Sequence, residues 1–112
     1  MATDSILIAV DDTTFEQAIA ASRERAVVVD FWAAWCGPCR QMTPVLEKLA
    51  AVPGAPKTFA VDVDTSPKTT DRFKIGAMPT YLVLRNGRVV RRIVGADPKA
   101  VKQVFKQFSK EQ

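Results

Sequence analysis

Apolar and polar residues follow two rhythms along this chain, and each rhythm predicts its own set of elements. Met42, Val45, Leu46 and Leu49 fall at i, i+3, i+4 and i+7, as do Val101, Val104, Phe105 and Phe108. That spacing lays one helix face against a core. Phe15, Ala18 and Ile19 form a shorter stripe that ends near Ser22. Elsewhere the rhythm is that of strands. Ile6 to Val10 reads as a short buried strand. Ala26 to Phe31 is apolar except for Asp30, which marks a central strand covered on both faces. Phe59, Val61 and Val63 alternate with Ala60, Asp62 and Asp64, a third strand. Thr80 to Arg85 and Arg88 to Val94 flank Asn86-Gly87, a two-residue hairpin turn.

The residues between these runs supply starts and stops. Asp11-Asp12-Thr13 offers helix caps, and Thr13 with Glu16 matches a capping box. The helix carrying Met42 should kink at Pro44 and run to about Ala51, where Val52-Pro53-Gly54-Ala55-Pro56 stops it. Ser66-Pro67 opens a short helix to about Phe73, and Asp97-Pro98 opens the last one. The order βαβαβαββα argues an α/β domain, with helical connections between the early strands and an antiparallel hairpin at one edge. The pattern alone leaves the strand order open.

At 112 residues the chain is read as one domain, 1–112, long enough to bury a core, and as a monomer. Its 47% hydrophobic and 25% charged composition excludes a disordered chain. No apolar run reaches membrane-spanning length, and the start lacks a basic stretch followed by an apolar one, so a cytoplasmic protein with no membrane partner is expected. The net charge of +4 is unevenly spread: residues 1–64 carry −4 and residues 65–112 carry +8. A basic half can meet nucleic acid, but charge also solvates a face and guards a sheet edge. The second reading is preferred, and no nucleic-acid partner is expected.

Candidate chemistry gathers in Val27 to Arg40, which holds the only two cysteines and both tryptophans. Cys39 extends the stripe of Met42 one turn back and should be buried. Cys36, at the helix N-terminus and the edge of the stripe, should meet solvent. Residues three apart on a helical turn are neighbours, so the sulfurs can close a disulfide. The free N–H groups and dipole of the helix start favour a thiolate at Cys36, which makes it the nucleophile. Pro38 suits the first turn. A zinc site needs four ligands, and the chain has no histidine and no third cysteine, so no metal is expected. A purely structural disulfide would close a loop too short to remove much chain entropy. Redox chemistry is the favoured reading. Asp30, inside an apolar strand, should have a raised pKa unless it reaches water at the strand end.

Asp30-Phe31-Trp32-Ala33-Ala34-Trp35-Cys36-Gly37-Pro38-Cys39 resembles the active-site signature of the thioredoxin family. The likeness continues through Ile75-Gly76-Ala77-Met78-Pro79-Thr80, Asn86-Gly87 and Val94-Gly95-Ala96, and so covers essentially the whole chain. It implies a five-stranded mixed sheet with helices on both faces. It also implies a protein-disulfide reductase in which Cys36 attacks, Cys39 resolves, and Asp30 beneath Cys39 accepts and returns its proton. Met78-Pro79 would be a cis-proline loop, with the Met78 backbone pairing to an extended substrate. Trp35, Gly37, Pro38, Ala77, Met78, Pro79, Val94, Gly95 and Ala96 would form the substrate-binding rim, with Trp32 given to packing. The implied partners are disulfide-containing proteins and a thioredoxin reductase, flavin-dependent and fed by NADPH; the chain itself would bind no cofactor.

Against the family pattern, Ala60 stands where a lysine near the buried aspartate is common, and Lys57 lies three residues earlier. Two other functions compete. A disulfide oxidant or isomerase is disfavoured by Gly37-Pro38, since oxidising relatives commonly carry a histidine there. A docking platform that makes no use of its thiols is the other.

Overall fold

In the computed structural model, which describes residues 5–110, the elements follow the expected order: β1 (Ile8–Val10), α1 (Glu16–Glu24), β2 (Val27–Trp32), α2 (Gly37–Ala50), β3 (Thr58–Asp62), α3 (Pro67–Arg72), β4 (Thr80–Arg85), β5 (Arg88–Val94) and α4 (Pro98–Phe108). The outermost residues of the 1–112 domain lie outside the described range. The sheet order is β1-β3-β2-β4-β5. β1, β3 and β2 run parallel, while β4 is antiparallel to β2 and β5 to β4.

β2 is central, and its alternating side chains feed two cores. Val27, Val29 and Phe31 join Phe15, Ala18 and Ile19 on one face, with Phe73 packed against Phe15 and Phe31. Ala26 and Val28 join Met42 and Leu46 of α2 and Val101, Val104 and Phe105 of α4 on the other. Asp30 belongs to the second set by strand period. It therefore points toward the layer that α2 covers.

Two local expectations are corrected, and a third holds in position but not in its bonding. β1 is a half-exposed edge strand of three residues, not a buried one of five: only Ile8, Ala9 and Val10 find partners on β3, and Ile6 is exposed. The Thr13–Glu16 capping box does not form. The Asp11 carboxylate instead accepts the N–H groups of Thr13 and Thr14 at 3.0 and 3.1 Å, and Glu16 pairs with Arg72 at 3.0 Å. Ser66 is the N-cap of α3 but makes no capping bond. Asp12 supplies it from across the fold, accepting from Lys68 N at 3.0 Å and from Thr69 N and Oγ1 at 2.7 and 2.8 Å. An aspartate reaches two orphan donors of a first turn better than a shorter hydroxyl turned inward. Asp12→Ala should therefore lower the thermal unfolding midpoint, and Ser66→Ala should lower it less. Equal losses in melting curves would assign the cap to Ser66.

The hairpin and the last cap are as read. Asn86 and Gly87 take φ of 55° and 74°, the positive pair that matches strand twist in a two-residue turn. Buried Ser22 anchors it: its Oγ accepts Gly87 N at 2.8 Å, and its carbonyl accepts Asn86 N at 2.8 Å. The Asp97 carboxylate accepts Ala100 N at 3.1 Å and caps α4. No helix among the described residues is long and apolar enough to cross a membrane.

Candidate active site

β2 ends at Trp32, and the chain turns through Ala33 to Trp35 into α2, so the two cysteines stand at the carboxyl end of the central strand. Cys36 is the N-cap, with φ −90° and ψ 108°, and its Sγ accepts the Cys39 N–H at 3.2 Å. Cys36 and Cys39 are joined as a disulfide, with Cα atoms 5.3 Å apart. An N–H aimed at this sulfur, together with the helix dipole, favours a thiolate there once the bond is reduced. Pro38 fills the first turn, where a missing N–H costs nothing.

The expected contrast in burial between the sulfurs is not observed. Cys36 is 5% exposed and Cys39 4%. Trp32, Val63 and Met78 pack against the pair, and the Met78 carbonyl oxygen lies 3.8 Å from Cys36 Sγ. Position on the helix distinguishes the pair: Cys36 sits at the open end, while Cys39 is inside the first turn on the face that continues to Met42.

Two loops close over the disulfide. The Met78–Pro79 bond is cis. Thr80 Oγ1 donates to Ala77 O at 2.6 Å, and Gly95 N donates to Pro79 O at 2.8 Å. That second bond ties Val94, Gly95 and Ala96 to the proline loop. Gly95 has φ 102°, a conformation that any side chain would strain. The surface around Cys36 thus brings together Trp35, 65% exposed, and Val94, 59% exposed, with exposed Pro38, Ala77 and Ala96. Gly37, Met78 and Gly95 are half-buried, and Pro79 is buried. Trp32 packs against the cysteines.

Asp30 is 5% exposed, and its Oδ1 has no hydrogen-bond partner among the described residues. Burial alone pushes its pKa up to about 7. Asp30 is thus set back from the strand end and buried, at the wall of a cavity rather than on the open surface. Asp30 pairs in register with Ala60 on one side and Tyr81 on the other. The short Ala60 leaves a cavity of about 330 Å³ lined by Asp30, Trp32, Thr43 and Glu47 among others. Lys57 is exposed and does not line it.

Three residues around the site were missed by sequence reasoning. Asp64 accepts the Trp35 indole N–H at 2.9 Å and so orients the exposed ring. Glu47, on the polar side of the α2 stripe, accepts Ser5 Oγ at 3.0 Å at the cavity. Tyr81 carries a buried hydroxyl without a hydrogen-bond partner among the described residues. The hairpin pattern places Tyr81 in a strand and supplies no register to set it beside Asp30.

Comparison with known proteins decides the family. The thioredoxin family model matches residues 6–107. The chain belongs to the thioredoxin family. It is 45% identical to a thioredoxin of Mycolicibacterium smegmatis over 103 residues, 89% of this chain and 91% of that one. It is 46% identical to a thioredoxin of Alicyclobacillus acidocaldarius over 89 residues, 79% of this chain and 83% of the relative. Among solved structures, a Nicotiana alata thioredoxin superposes with TM-score 0.86 at 31% identity, covering 95% of each chain. The Malassezia sympodialis thioredoxin gives 0.83 at 34%, covering 93% of this chain and 91% of that one. Thioredoxins are disulfide oxidoreductases, and Cys36 and Cys39 are the pair that performs dithiol–disulfide exchange here. Membership implies disulfide-containing substrates and a thioredoxin reductase as partners.

Proposed function

We propose that this chain, acting as a single-domain monomer in the cytoplasm, reduces protein disulfides with Cys36 as nucleophile, Cys39 as resolving thiol and Asp30 as the proton acceptor between them. In the dithiol form, Cys36 thiolate attacks one sulfur of a substrate disulfide. The other substrate sulfur leaves with the electron pair, and a mixed disulfide forms. Asp30 carboxylate then takes the Cys39 proton, and Cys39 attacks Cys36 Sγ. The Cys36–Cys39 bond closes and the second substrate thiolate departs. Two electrons have passed to the substrate. A thioredoxin reductase, flavin-dependent and fed by NADPH, returns them.

The observation that carries this reading is the Cys36 sulfur at the N-cap of α2, bonded to Cys39 N at 3.2 Å. The buried Asp30 on the sheet face under α2 supports the proton step. The apolar rim of Trp35, Gly37, Pro38, Ala77, Met78, Pro79, Val94, Gly95 and Ala96 supports docking by shape. Dithiothreitol-driven reduction of a generic protein disulfide tests the activity. The wild type should accelerate it, and loss of that acceleration in Cys36→Ser ties it to the thiol. A wild type without acceleration would overturn the reading.

The basic half is read as a solvated face. β5 is the sheet edge, and Arg88, Arg91 and Arg92 stand exposed on it, as edges commonly require. No duplex complex is expected at physiological salt. Micromolar or tighter DNA binding with a steep salt slope, the mark of counterion release, would contradict this.

A further inference from the structure

We propose that the outer edge of β5, with the groove beside α4, is a docking surface for an extended acidic segment of a partner protein, which adds as a sixth strand. The surface holds no redox group, so the inference goes beyond the disulfide chemistry.

Edge geometry is the first observation. β5 ends the sheet, and among the described residues no strand pairs with its far side. Gly95 N donates to Pro79 O, so antiparallel alternation turns the backbone of Arg91 and Ile93 toward β4 and that of Arg92 and Val94 outward. Val83 pairs with Arg91 and Leu84 with Val89, which leaves Val90 as the extra residue of a bulge. The stretch from Arg91 to Val94 beyond it is regular, and its outward N–H and C=O groups suit strand addition.

The second observation is the groove. Arg91 and Ile93 lie opposite Val83 and Tyr81, on the sheet face that α4 covers. Beside them opens a groove of about 530 Å³, with apolar Ile93, Ala100 and Val104 and the cations Arg91 and Lys106 in its lining. Arg92, opposite Leu82, takes the other face. An added strand alternates its side chains in the same way. One set would enter the groove, and the other would meet Arg92.

Charge selects the occupant. Residues 85–108 hold seven Lys/Arg and one acid, Asp97, whose carboxylate already caps α4. Arg91 donates to Gln107 Oε1 at 2.7 Å and stands over the Phe108 ring, while Arg92 donates to Phe73 O at 2.9 Å. Neutral acceptors thus hold both guanidiniums in place, and neither has an acidic partner among the described residues. Each fork keeps donors for a partner's carboxylate, in bonds strengthened by charge. A second copy of this chain would instead bring arginine against arginine. A nucleic-acid duplex has neither a strand backbone for the edge nor an apolar side chain for the groove.

The probe is a labelled, cysteine-free peptide, Glu-Glu-Val-Thr-Val-Glu-Glu, whose valines share one strand face with a glutamate at each end. One control carries lysine for every glutamate; another carries proline for the first valine and the threonine, and cannot pair as a strand. Binding to the oxidised wild type is followed by fluorescence anisotropy, and the backbone amides by NMR. The acidic peptide should bind saturably, weaken as salt is added and slow hydrogen exchange at Arg92 and Val94. Neither control should bind. Arg91→Glu combined with Arg92→Glu should weaken the acidic peptide on the order of tenfold and admit the lysine control, with reduction of a generic disulfide unchanged. No saturable binding of the acidic peptide, or equal binding of the proline control, would overturn the added strand. So would amide changes confined to Ala77 and Met78, which would place the peptide on the thiol rim. Tighter binding of a DNA duplex would make the face a nucleic-acid surface, and a wild type that sediments as a dimer through this edge would give it to a second copy; either result would overturn the proposal.

Discussion

Cys39→Ser should collect substrate proteins on Cys36 as mixed disulfides that persist through non-reducing electrophoresis, and Cys36→Ser should collect none. Exposure does not make this distinction, because the two sulfurs are equally covered in the disulfide. Helix position does. Cys36 lies at the open N-terminus, where its sulfur receives the Cys39 N–H and the dipole, so its thiolate is the stabilised one. Cys39 is held inside the first turn, toward the sheet. With serine at 39, the attack still occurs but nothing expels the substrate. The adduct should last minutes to hours, the scale of uncatalysed disulfide rearrangement. Both variants should fall to the background rate set by the small dithiol in a turnover assay. Trapping of equal strength by both variants would reverse or erase the assigned roles.

Asp30→Asn should stabilise the oxidised protein at neutral pH and do little near pH 3. Burial raises the Asp30 pKa from 3.8 to about 7. Between those values the native state binds more protons than the unfolded chain, so stability falls as pH rises through that window. The penalty is absent below about pH 4, grows toward pH 7 and is constant above it. A shift of about three units corresponds to roughly 4 kcal/mol. Asparagine recovers less than this, because its amide is also buried. The same substitution removes the proton acceptor and should slow resolution on the order of 10²-fold. Ala60→Lys should flatten the pH dependence if its ammonium enters the cavity and lowers the Asp30 pKa. Denaturant unfolding of the three proteins from pH 3 to 9 is the measurement. A difference between wild type and Asp30→Asn that does not vary with pH would mean that Asp30 is solvated.

Much of this molecule was legible in its sequence, for one reason: the features concerned are local. The stripe of Met42, Leu46 and Leu49, the Asn86-Gly87 turn, the Asp97 cap and the three-residue spacing of the cysteines each involve residues a turn or less apart. Backbone geometry then dictates what touches what. The burial of Asp30 was also legible, because an unbroken apolar run marks a strand covered on both faces. Where local signals competed, the reading failed. Thr13 and Glu16 fitted a capping box, yet Asp11 lay as close and Arg72 offered Glu16 a partner 56 residues away.

What the tertiary structure alone decided was pairing across the chain. It set the order β1-β3-β2-β4-β5 and the register that puts Asp30 between Ala60 and Tyr81. It gave α3 its cap from Asp12 and Trp35 its partner in Asp64. It also covered both sulfurs alike beneath the Met78–Pro79 loop. A strand's alternation says which face a side chain takes but not which strand lies beside it, since every register offset of two residues satisfies the same pattern. The redox pair was therefore written in four consecutive residues. The surroundings of its buried acid came into being only when three strands met.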